Sequence, residues 1–186
     1  MKANLSAFPA YAADVVLAYT KAVDAYYEAY NKANKKVTES NYAELQKLLD
    51  DVKAAQDKLT SKDIEKLPVK YLKNGNPFGL ELDVTTQQAP LTTKKDDAEA
   101  RADLNKAIKE ANALVDSVTE SVDGKNVAKD KMWATNADIT TFKNAIKAAK
   151  TVADDDSKVK SDLDGAKATL AGARSTFAPQ LGTKAN

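Results

Sequence analysis

From Trp133 to Phe177 the chain reads WATNADITTFKNAIKAAKTVADDDSKVKSDLDGAKATLAGARSTF. Ile139, Phe142, Ile146, Ala149 and Ala153 recur at alternating steps of three and four, which puts them on one face of a helix. After the acidic break Asp154-Asp155-Asp156, the same spacing returns with Val159, Leu163, Ala166, Leu170, Ala173 and Phe177. Upstream, Leu104, Ile108, Ala111, Val115 and Val118 form a third stripe of the same kind. Three narrow apolar stripes predict three helices that pack through one seam. Thr135, with Asp138 three residues on, fits a capping box for the middle helix. Trp133, two residues before that cap, is expected to fold back over the end of the bundle. The first helix is read from about Lys94 to Glu120, with Asp96, Asp97 and Glu99 in its first turns, where carboxylates complement the helix dipole. Asp123-Gly124 then turns the chain, and residues 121–132 read as a polar connection. The Asp154–Asp156 triplet is expected to cap the last helix, which starts after Asp156 or Ser157 and ends before Pro179.

Toward the N-terminus, residues 1–10 form an irregular lead-in closed by Pro9. A helix from about Ala10 to Lys35 carries Val16, Tyr19, Val23, Tyr26, Tyr30 and Ala33 at helical spacing. Thr38-Glu39-Ser40-Asn41 offers a capped restart, and a second helix to about Leu59 faces inward with Tyr42, Leu45, Leu49, Val52 and Leu59. Residues 67–93 break the pattern. Val69-Lys70-Tyr71-Leu72 and Leu80-Glu81-Leu82-Asp83-Val84 flank an Asn74-Gly75 turn signal, and a polar run from Thr85 to Thr93 follows. The predicted fold is all-α. A helical hairpin over 1–66 joins a three-helix bundle over 94–182 through a linker or small β-hairpin over 67–93.

Composition narrows the chemistry. The 186 residues are 43% hydrophobic and 30% charged, which fits a strongly amphipathic helical protein. Net charge is +1 from 28 basic and 27 acidic residues, and no basic stripe marks a nucleic-acid face. Neither cysteine nor histidine is present, so disulfides, thiolate or imidazole metal sites and Cys–His or Ser–His catalysis are excluded. Glycine-rich phosphate loops are missing. Adjacent carboxylates such as Asp50-Asp51 point apart on a helix, and Asp154–Asp156 lacks the alternation a calcium loop needs. No cofactor is expected. No run is long enough to cross a membrane, so no direct membrane insertion is expected. Met1-Lys2-Ala3-Asn4 opens without an apolar leader core, and any leader or anchor is expected to lie outside this stretch.

Aromatic side chains remain as contact candidates. Tyr19, Tyr26 and Tyr30 fall in the seam of the first helix, whereas Tyr11 and Tyr27 fall off it. Tyr11 with Tyr27, or Tyr71 with Phe78, is the pair expected to bind a partner or to stack on sugar rings if two of them lie coplanar and exposed. Gly165 and Gly172, seven apart beside the last seam, have no account in the pattern, since each costs about 1 kcal/mol inside a helix.

Ser121-Val122-Asp123-Gly124-Lys125, Lys131-Met132-Trp133-Ala134-Thr135, Ala145-Ile146-Lys147-Ala148-Ala149, Leu163-Asp164-Gly165-Ala166 and Leu170-Ala171-Gly172-Ala173 follow one another, with Phe177 and Gly182 closing. In that order they resemble the FIVAR family over residues 95–182. The resemblance implies a three-helix module repeated in bacterial cell-surface and secreted proteins, placed extracellularly or on the cell wall. It implies a non-enzymatic role in adhesion to host extracellular-matrix protein or glycan, or as a spacer. A second expectation is a carbohydrate-binding accessory domain of a secreted glycosidase. The family transfers no catalytic residue. Residues 1–66 lack the Trp-x-Thr start and read as a diverged or incomplete sister module.

Overall fold

A computed structural model describes residues 10–184, with side chains from Asp14 onward. The protein is mostly helical, as the periodicities predict, and carries one small sheet. It divides into two compact units, Met1–Lys95 and Asp96–Asn186.

In the first unit, α1 (Ala10–Lys32) and α2 (Tyr42–Gln56) pack side by side. Val16, Tyr19, Val23 and Tyr26 meet Leu45, Leu49 and Val52 in a common core. Asn34 and Lys35 take positive φ after α1, and the Lys35 amide donates to the Tyr30 carbonyl at 2.8 Å, which ends the helix. The capped restart takes a different form from the expected one. The Asn41 side chain accepts from the Thr38 amide at 2.8 Å and donates to the Lys36 carbonyl at 3.0 Å, so it ties the loop together and does not cap α2. A single helical turn, α3 (Ser61–Ile64), is closed by a capping box between Thr60 and Asp63.

Residues 67–93 depart from expectation at both ends. Asn74 and Gly75 do turn at positive φ, but the flanking residues form tight 3-10 turns, and the hairpin shrinks to one bridge between Leu72 and Leu80. The polar run read as a linker is helical. It opens α4 (Val84–Asp116), with Pro90 inside it. Asp83 starts this helix: its carboxylate accepts from the amides of Thr85 at 2.9 Å and Thr86 at 3.3 Å, and from the Thr86 hydroxyl at 2.8 Å. The first turns of α4 belong to the first unit. Leu91 is fully buried there, Gln87 accepts the Tyr26 hydroxyl at 2.8 Å, and Gln88 exchanges amide hydrogen bonds with Gln46 at 2.7 and 2.9 Å. The hairpin thus gains a third helical segment.

In the second unit, the rest of α4 packs with α5 (Asn136–Ala153) and α6 (Lys160–Thr176) around Leu104, Ile108, Phe142, Ile146, Leu163 and Leu170. Phe142 and Phe177 stack with ring centroids 4.6 Å apart. Helix α4 stops at Asp116, short of the expected Glu120, and the β-branched pair Val118-Thr119 enters a sheet absent from the sequence reading. Strand β1 (Val118–Glu120) runs parallel to β2 (Met132–Ala134), which pairs antiparallel with β3 (Gln180–Leu181). Two glycines admit this crossing. At Gly124, with φ +70°, a Cβ would overlap the Trp133 indole, and at Gly182 it would overlap the Val127 and Ala128 carbonyls.

Two expectations about helix ends are corrected. Asp97 is not a first-turn carboxylate but lies within α4, only 1% exposed, and accepts the Lys160 amide at 2.7 Å, the first residue of α6. Its neighbour one turn on, Arg101, donates to the carbonyls of Ala153, Asp155 and Lys158 at 2.5–3.1 Å. These two residues, with Asp162 beneath Val159, close the α5–α6 connection. The Asp154–Asp156 triplet instead follows the end of α5, where Asp155 accepts from the Ser157 amide at 2.9 Å. Val159, expected in the seam, is the residue before α6 and is exposed.

Candidate functional site

The four aromatics singled out in the sequence fall in different environments. Tyr11 lies outside the residues whose side chains are described. Tyr27 is half-buried against the core and meets Tyr26 edge-on at 5.9 Å. Tyr71 is 2% exposed, with its hydroxyl donating to Asp24 at 2.7 Å and the Lys70 ammonium 4.3 Å above its ring. It is a core residue, and the Tyr71–Phe78 platform does not form. The apolar Tyr71 ring joins the core cluster that α1 and α2 form, which is why it is withdrawn from the surface. Of the three described candidates, Phe78 is the one displayed, 70% exposed, on a turn held by its own amide donating to Asn76 at 2.9 Å.

The second unit offers a better-built surface, which the sequence reading reduced to a packing role for Trp133. Thr135 caps α5: its hydroxyl accepts the Asp138 amide at 3.2 Å and donates to the Asp138 carboxylate at 2.6 Å. That cap fixes the direction of β2, and with it the indole one residue before Ala134. Trp133 is half-buried; its Nε1–H donates to the Leu181 carbonyl at 3.2 Å, and its five-membered ring rests against Gly124. Beside the indole lies a shallow groove of about 140 Å3 bounded by Thr135, Asp138, Thr176, Phe177, Ala178 and Gln180. A second hollow of about 200 Å3 continues it between α5 and α6 and shares Asp138, Thr176 and Phe177.

The lining is mixed. Phe177 forms an apolar floor, 5% exposed and stacked on Phe142. One Asp138 oxygen is taken by Thr135, and the other faces no hydrogen-bond donor among the described residues. Thr176 donates to the Gly172 carbonyl at 3.2 Å, which leaves its oxygen free to accept. The Gln180 amide, on exposed β3, is unpaired among the described residues. Such a lining offers aromatic and hydrogen-bonding groups side by side. The signals for it in the sequence were the Trp133-x-Thr135 pair and Gly182, but only the sheet brings Gln180 beside Trp133.

Among the described residues, no group of three or more carboxylates is placed to hold a metal ion, and no helix is long and apolar enough to cross a membrane. A wider hollow between α4 and the start of α6 is rimmed by Asp96, Glu99, Asp103 and Asp164, where Lys160 pairs with Asp164 and Lys167 with Asp103. No protein-family model, no curated protein and no solved structure matches the chain.

Proposed function

We propose that the chain is a non-enzymatic module of a bacterial cell-surface protein that adheres to a host extracellular-matrix protein or glycan, or spaces other modules apart. The likeness of residues 95–182 to FIVAR modules gives this reading its setting, outside the cell and within a longer chain. The observation that carries it is where the reactive side chains go in the second unit. Asp97 and Arg101 are spent on the α5–α6 connection and Thr135 on the start of α5. What stays open beside an aromatic side chain is the shallow Trp133 groove of about 140 Å3, continued by a hollow of about 200 Å3. The wider hollow at the start of α6 is instead rimmed by carboxylates and their lysine ion pairs. A shallow aromatic groove on a rigid bundle suits contact with a larger partner rather than enclosure of a substrate. The module works without a cofactor and without nucleic acid.

The reading as an accessory domain of a glycosidase asked for two coplanar exposed aromatics among Tyr11, Tyr27, Tyr71 and Phe78. Burial of Tyr71 removes one of the two pairs. The test is capture of the whole chain on immobilised fibronectin, collagen and a glycan array. Adhesion predicts saturable retention on at least one surface with the ligand recovered unchanged. Chemical conversion of any ligand would overturn the non-enzymatic reading, and silence on every surface would leave only the spacer.

A further inference from the structure

We infer that the Trp133 groove is a subsite for one sugar ring of a glycan, which deepens the adhesion reading and rests on it. A pyranose has an apolar C–H face and a rim of hydroxyl donors. The groove has the matching parts in its lining: the aromatic side chains of Trp133 and Phe177, the free Asp138 oxygen, the Thr176 oxygen and the Gln180 amide. Acceptors predominate, as hydroxyl donors require. The chief rival occupant is a lysine side chain drawn to Asp138. That carboxylate is exposed and already accepts the Thr135 hydroxyl, and an ion pair in water contributes at most about 1 kcal/mol. Such a cation would leave the Gln180 amide unused.

The indole is held for this task. Its Nε1–H is committed to the Leu181 carbonyl and its five-membered ring lies against Gly124, while the half-buried indole also borders the groove. Little ordering accompanies binding on such a fixed platform. A groove of about 140 Å3 admits a single ring, so few contacts form per module and binding at each is weak. A surface protein with several such modules reaches useful avidity by linking them.

Trp133 is the only tryptophan in the chain, so its fluorescence reports this groove alone. The experiment titrates the whole chain with the methyl glycosides of glucose, galactose, mannose and N-acetylglucosamine, and separately with N-acetyl-lysine methylamide. The expected result is a saturable emission change with at least one glycoside. It weakens about tenfold in Gln180→Ala, which removes one hydrogen-bonding amide. It disappears in Ala178→Arg, whose side chain fills the groove from an exposed position. Thr176→Arg fills the groove from the other side and replaces Ala178→Arg should that variant fail to fold. Lack of saturation with every glycoside, saturation unaltered by the filling variants, or saturation with the lysine derivative alone would overturn the subsite. A chain that is captured by fibronectin or collagen yet ignores every glycoside keeps the adhesion reading and loses the sugar.

Discussion

Four glycines in the second unit have opposite meanings, and substitution separates them. A Cβ at Gly165 or Gly172 would meet nothing within 4 Å, so neither glycine is required by the packing of its own unit. Gly165→Ala and Gly172→Ala are each expected to raise stability by about 1 kcal/mol, measured by urea unfolding. Gly124→Ala and Gly182→Ala should do the reverse, since the added carbon strikes the Trp133 indole or the Val127 carbonyl. Those variants are expected to shift Trp133 emission even where the fold survives. Tyr19 is a second residue-scale case. Its hydroxyl is fully buried with no hydrogen-bond partner among the described residues, so Tyr19→Phe should be neutral or stabilising by about 1 kcal/mol in the same assay. Loss of several kcal/mol would mean that the hydroxyl has a partner, such as a bound water.

Among the elements, α4 carries the most information, and sequence patterning read it least well. Its hydrophobic period was legible from Leu104 to Val115, because those residues line one seam. Its first turns were not. Thr85, Thr86, Gln87 and Gln88 look like a linker, and Pro90 looks like a stop, but Pro90 is exposed and Asp83 supplies the missing start signal. Leu91 was the clue, a lone buried leucine in a polar run. The three strands were illegible for another reason. Each is two or three residues long, and β3 pairs with residues far away in the chain, which no local period records. By contrast, Thr135 as the cap of α5, the α5 seam and the α6 seam from Leu163 onward were read correctly, since each is a local or periodic signal. Asp138, however, bonds the Thr135 hydroxyl rather than closing a capping box, and Val159 lies outside the seam. The end of α6 that Asp97 closes lay beyond that reach. Asp97→Ala is expected to cost about 1.5–3 kcal/mol, the worth of a charge-assisted hydrogen bond, and to expose the α6 N-terminus to hydrogen exchange. Asp83→Ala should fray α4 before Leu91 and lower the melting temperature of the first unit, leaving exchange within α5 unchanged.

For the whole molecule, the aromatic residues supply separate reporters. All seven tyrosines lie in the first unit and the single tryptophan in the second. Burial, helped by the neighbouring hydroxyls, pushes the Tyr19 and Tyr26 hydroxyls up to about 12 from the ordinary 10.0. A raised folded value means that the fold favours the neutral phenol. The stability held this way is complete below pH 10 and is lost as pH climbs through 10 toward about 12. Phenolate absorbance from these buried tyrosines should therefore appear together with loss of helical signal in that window. Smooth titration near the ordinary value with the helices intact would contradict their burial. The same division of aromatics gives the functional account its location. The sequence favoured aromatics of the first unit, Tyr11, Tyr27, Tyr71 and Phe78, as contacts, whereas the groove proposed for contact borders Trp133 in the second.

The most direct test of the adhesion account compares the unaltered chain with Ala178→Arg and with Phe78→Ser on the immobilised matrix proteins and glycans, after matching their melting temperatures. The account predicts that capture is lost in Ala178→Arg and kept in Phe78→Ser. Capture that ignores Ala178→Arg and vanishes with Phe78→Ser would contradict it and move the contact surface to the exposed turn of the first unit.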